Sequence, residues 1–186
     1  MATDLTRFEP FLPESRRPLL GDNWLTNVDA WDATLPPLSD PGRPAGSLST
    51  ADLREETTAV RAGLLLMSDA DTASHEQSQT NEGDADCDYW HGIMHRREPD
   101  YGNAGYWFRL VGQHPAMESL PASAGVIADA LEVRDAAAGV LGDVWSGHAM
   151  IDLCRTAERQ AGSPLHLFAR AVQWAEMRSL LTHCDR

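Results

Sequence analysis

The stretch "YWHGIMHRREPDYGNAGYWFR", residues 89–109, decides the fold. It holds two His, three Arg, two Trp, three Tyr and one Phe around the turn "REPD". Pro99 pushes Glu98 out of helical geometry, so a helix running through "YWHGIMHRR" stops there. Asp100 to Asn103 reads as a turn and cap, and a second helix carries "AGYWFRLVG" until Gly112 and Pro115 end it. The stretch is therefore a helical corner, two helices joined at Pro99.

Working outward, helical signals continue. "STADLREE" offers Ser49 or Thr50 as a cap, with Asp52, Glu55 and Glu56 at the positive end of the helix dipole. Val60, Leu64, Met67, Asp71 and His75 follow at three- and four-residue steps, which predicts one helix to about Gln79, broken by "TNEGDAD". The next helix is expected to start near Asp88. Further helices fit residues 123–139, 148–161 and 164–184, the last opened by Ser163 as cap and Pro164 at the first position. Strand alternation is absent, except for at most a short strand in residues 1–47. The expected class is all-α: a single helical domain of about six helices over residues 48–186.

Residues 1–47 differ. Seven of the eleven prolines fall here, at positions 10, 13, 18, 36, 37, 41 and 44, which disfavours long regular structure. Phe8, Phe11, Trp24 and Trp31 have little use in a free tail. The segment reads as an extended, Pro-rich arm packed on the body by its aromatics, with "LPPLSDPGRPAGS" as its turn-rich end.

The bulk numbers narrow the function. A chain of 186 residues with 42% hydrophobic content can bury one real core. The net charge of -13 repels phosphate backbones and anionic lipid surfaces, so nucleic acid and membrane are not the expected partners. An unknown small molecule or protein is. No apolar run approaches the ~20 residues of a membrane span, and the start lacks the pattern of a secretion signal. Cys87, Cys154 and Cys184 form no CxxC pair, so the expectation is a soluble cytoplasmic protein with reduced thiols. Cys154, in an apolar stretch, is expected to be inert. GxSxG, GxxxxGK[ST] and GxGxxG are absent, which argues against an α/β-hydrolase, a P-loop enzyme or a Rossmann oxidoreductase.

The chemistry concentrates at the corner. His91 and His95 are four apart, so on a helix their rings share one face, on the flank of a packing face formed by Tyr89, Trp90, Ile93, Met94 and Arg97. A shared metal ion needs that spacing. HExxH is absent, because Gly92 follows His91. If the preceding helix folds back as a hairpin, however, His75 and Glu76 join them. His75, His91 and His95 are then candidate ligands of a divalent metal. In a hydrolase-like enzyme the same histidines act as acid and base, and Glu76 or Glu98 orients or activates water.

Arg96, Arg97, Tyr101, Tyr106, Trp107 and Arg109 are candidate ligand-binding residues, since guanidinium groups match anions and aromatics line pockets. Against this stands a plain structural reading. The arginines pair with Glu98 and Asp100 and brace the corner, and the imidazoles donate to carboxylates or carbonyls while packing beside Trp90 and Trp107. His114 is expected in a solvated loop and His148 at a helix start, as a cap or a remote contributor. Three functions follow: a ligand- or partner-binding module with a His/Arg/aromatic pocket around residues 75–109, a His/Glu hydrolase-like enzyme, and a purely structural corner.

Two resemblances bear on this. "DYGNAGYWFR" resembles the Asp-Tyr-x-x-Ala-x-x-Trp-Phe signature of Sel1-like and tetratricopeptide hairpins, over one unit where a solenoid needs about three. It implies a helix-pair geometry. The segment "YWHGIMHRREPDYGNAGYWFRLVGQHP", with "ASHEQSQ" and "AEMRSLLTHC", resembles a group of uncharacterised bacterial proteins that share a Tyr-Trp-His-Gly-Ile-Met-His-Arg-Arg-Glu core. That likeness spans residues 51–186 and implies no activity. It singles out His75, Glu76, His91, His95, Arg96, Arg97, Glu98, Asp100, Tyr101, Asn103, Tyr106 and Trp107.

Overall fold

The computed structural model describes residues 5–39 and 48–186. The fold is all-α, and among the described residues there is no strand. After a single turn, α1 (Trp31–Thr34), seven helices follow: α2 (Thr58–Met67), α3 (Asp71–Gln79), α4 (Ala85–Arg97), α5 (Tyr101–Val111), α6 (Leu120–Ala130), α7 (Gly147–Glu158) and α8 (Pro164–Cys184). No helix among the described residues is long and apolar enough to cross a membrane.

α4 is the middle of the body. Every residue from Cys87 to Arg97 is buried, where the sequence suggested one packing face and a flank. A helix buried all round must be enclosed on several sides, and α2, α3 and α5 pack on it. α8, the longest helix, reaches it through polar side chains. Glu176 of α8, fully buried, accepts from Tyr89 Oη at 3.0 Å and from Trp145 Nε1 at 3.2 Å, and pairs with Arg96. α2 and α4 approach closely at Gly63. A Cβ there would lie 2.4 Å from the Trp90 ring.

Helix ends follow local chemistry. Asp84 caps α4, its Oδ1 accepting from Cys87 N at 3.1 Å, so α4 begins earlier than Asp88. Asp100 caps α5 through Asn103 N, and Ser163 caps α8 through His166 N. Residues 49–56 are turns, and α2 starts only after Thr57, which accepts from Val60 N.

The single helix expected through residue 79 is two helices. Between them Asp69 adopts φ 60°, a conformation an Asp tolerates at a cost. Long-range partners hold it: Arg16 of the arm and Arg97 of α4 both pair with its carboxylate. The expected helix over 123–139 likewise ends early, at Leu131, next to Glu132 at φ 55°.

The arm is coiled into 3-10 turns rather than extended. Four 3-10 turns follow one another from Leu5 to Ala30, with Pro10 and Pro18 inside the first two; such short turns need fewer backbone donors than an α-helix or a sheet. Phe8, Trp24 and Trp31 are buried in the common core. α8 supplies the polar bonds. Trp174 Nε1 donates to Leu19 O at 3.2 Å, Gln173 Nε2 to Leu38 O at 3.0 Å, and Arg170 Nε to Pro36 O at 3.0 Å. Residues 40–47, the end of the expected turn-rich stretch, lie outside the described residues.

Candidate metal centre

α3 and α4 fold back on each other through the loop at Thr80–Asp84, and this brings three imidazoles together. His75 comes from the middle of α3, and His91 and His95 from successive turns of α4. Ring centroids lie 4.7 Å apart for His75 and His91, 5.1 Å for His75 and His95, and 4.9 Å for His91 and His95. One ring nitrogen from each falls within 4.8 Å of the other two. A metal with bonds of ~2.1 Å at tetrahedral angles needs nitrogens ~3.4 Å apart, so modest ring rotations would close the set.

Burial makes these imidazoles unusual. His91 is 1% exposed and His95 8%. Neither nitrogen of His91 has a hydrogen-bond partner, and neither does His95 Nδ1. Buried polar groups are nearly always paired, and leaving one unpaired costs about 1–3 kcal/mol. Burial, with His95 and His75 adding repulsion, lowers the His91 pKa to about 3. His95 is lowered too, chiefly by burial and His75, while Glu98 and Asp100 pull the other way. Both rings are thus neutral near pH 7, the form that ligates metals.

Two side chains flank the rings. Trp107 of α5 stacks on His91 at 4.0 Å and 20°. Glu98 Oε2 lies 3.4 Å from His95 Nδ1, beyond a good hydrogen bond but on the side that would leave Nε2 for a ligand. Glu76, beside His75, is exposed.

The other expected ligand-binding residues do not gather here. Arg96 and Arg97 are fully buried and turned inward. Arg96 pairs with Glu176 and donates to Gln173 Oε1 at 3.2 Å; Arg97 pairs with Asp69 at 2.9 Å and Asp71 at 3.3 Å and donates to Leu66 O. They brace the corner, but with partners other than Glu98 and Asp100. Tyr101 is half-buried, under the Arg155 guanidinium at 5.0 Å. Tyr106 is 47% exposed, with Arg109 6.0 Å from its ring. Of this group only Trp107 touches the histidines through its ring.

A second cluster escaped the sequence reading. His114, expected in solvent, is buried, and its Nε2 lies 2.9 Å from Asp86 Oδ1; His183 Nε2 lies 3.5 Å from the same oxygen. His114 holds Asp86 below the usual carboxylate range, against the opposing effect of burial. His114 Nδ1 accepts from Ala116 N at 3.2 Å, which assigns the ring proton to Nε2. A metal at Nε2 would force that proton onto Nδ1 and break the bond. The cluster therefore suits a polar tie in which the Asp86 carboxylate of α4 meets the His114 ring and, from the end of α8, the His183 ring. Its members come from residues 86, 114 and 183, and nothing local in the sequence links them. His148 is exposed in the first turn of α7. Cys154 is buried, and burial raises its pKa to about 12, which fits an inert thiol.

Comparisons with protein-family models, curated proteins and solved structures find no match to this chain.

Proposed function

We propose that this helical protein binds one divalent transition metal through His75, His91 and His95, with zinc the ion that three neutral imidazoles suit well. The observation that carries this reading is His91, buried, neutral and without a partner for either nitrogen, inside a group of three converging rings. A bound ion gives one of those nitrogens the partner it lacks. Three protein ligands leave a fourth position open, the pattern of reactive rather than closed structural zinc sites. An ion so held would supply a bound water with its pKa lowered towards 7 and a Lewis acid for carbonyl or phosphoryl oxygens. Metal-assisted hydrolysis is the activity class this supports. Glu98 would orient His95 through Nδ1, as outer carboxylates do for metal-bound imidazoles.

The structural reading keeps its own support for the other half of the corner. Arg96 and Arg97 are each paired with an internal acid, so bracing accounts for them without a ligand.

The test is the metal content of untagged protein purified without chelator, beside the His91→Ala/His95→Ala double variant. Wild type should carry, or take up from added zinc, about one equivalent per chain, and the folded variant far less. A folded wild type that binds no zinc in calorimetry would sink the metal reading. With the metal shown, the loaded protein is the one to screen against ester, amide and phosphoester substrates.

A further inference from the structure

α3 is an oddly weak helix to stand at the site. It has nine residues, fewer than the ~12–15 at which isolated helices begin to persist in water. Only Ser74 and Ser78 are buried along it. Ser74 Oγ donates to Ala62 O of α2 at 2.8 Å, whereas Ser78 Oγ merely donates back to Ser74 O within α3. Arg61 Nε donates to Gln77 Oε1 at 2.9 Å, and Asp71 faces Arg97 at the first turn. No large apolar side chain secures the segment. Its flanking turns both pass through left-handed residues, Asp69 at φ 60° and Gly83 at φ 90°; Asp69 is tied down by Arg16 and Arg97, so the ready pivot is the Gly83 end. Towards α4 its middle offers the edge of the His75 ring to His91 and His95.

Two of the three ligands ride on one rigid, buried helix, and the third on this loosely held segment. An ion bound by all three must bridge them. An ion must also get in, and His91 at 1% exposure offers no direct approach. We infer that α3 is a clasp operated by the metal: it swings away to admit the ion and is fastened by the bond to His75. This rests on the metal reading above and adds to it how the site is loaded and what loading does to the chain. In the metal-free protein, opening gives the His91 nitrogens access to water, so departure of α3 relieves an unpaired group. In the loaded protein opening breaks a ligand bond.

Hydrogen exchange of the full chain, with and without zinc chloride at about 100 times its dissociation constant, reads the clasp directly. Binding to the closed form alone suppresses opening in proportion, by up to about 100-fold. The peptide covering residues 71–79 should slow by that order, while peptides from α8 change little. His75→Ala should exchange rapidly over 71–79 whether or not zinc is present, and His75→Gln serves if the alanine variant does not fold. If calorimetry shows zinc bound and residues 71–79 exchange equally with and without it, the clasp is overturned while the metal site stands. Equal slowing over the whole chain overturns it too, since the effect is then global. If zinc does not bind, both ideas fall together.

Discussion

His91 shows how one residue can set the acid behaviour of a protein. Its folded-state pKa lies near 3, below the ~6.5 of an unfolded histidine. Protons therefore bind the unfolded chain more readily between those values. The contribution to stability is whole above pH ~6.5 and is lost as pH falls towards 3. Metal-free wild type should accordingly lose urea resistance between pH 7.5 and 5, and His91→Gln, which cannot take up the proton, should lose less. Equal losses would show that other groups govern the acid side. At this scale the sequence was half legible. The i, i+4 spacing announced His91 and His95, and the hairpin needed for His75 formed. Arg96 was misread because its partner, Glu176, lies 80 residues away, and no spacing rule reaches that far. The only hint was a lone acid in the apolar run "AVQWAEM".

At the scale of elements, α2 and α4 touch where a side chain is missing. Gly63 lets the Trp90 ring lie against the backbone. Alanine is the better helix former by about 1 kcal/mol, but overpacking a filled core costs about 1–3 kcal/mol. With a Cβ at 2.4 Å from the ring, the second effect wins. Gly63→Ala should lower unfolding stability by about 1 kcal/mol or more, visible as an earlier urea midpoint at unchanged slope. A rise in stability would mean that Trp90 has room to move. Element boundaries were readable where the local chemistry is strong: Pro99 with Asp100, and Ser163 with Pro164. The break at Asp69 was not, because "MSDAD" lacks Pro and Gly. The bend there is held by Arg16, 53 residues before it, and Arg97, 28 residues after it.

For the molecule as a whole, the arm and the body share one core. Trp174, fully buried, gives its indole N–H to the arm's Leu19, and Gln173 and Arg170 of the same helix also depend on arm carbonyls. Without the arm these donors would face water beside exposed apolar surface. A chain beginning at residue 48 should therefore lack a cooperative melt and bind a hydrophobic dye, whereas the full chain melts in one step. A sharp melt of residues 48–186 alone would show that the helical part folds independently. The aromatics of the arm are what lead the sequence to be read as a segment laid on the body. Its coiling into 3-10 turns was not foretold, because proline forbids long helices and sheets alike without choosing between short turns and extended chain.

The stacking of Trp107 on His91 makes the protein its own optical gauge. The other five tryptophans are buried, and Trp107 alone is partly exposed. Its emission should be the reddest of the six, and its ring stacks on a would-be ligand. Copper or cobalt seated on His91 would drain that light, whereas zinc, with its filled d shell, would leave most of it. The colour of the quenched component would report which of six indoles the ion had found.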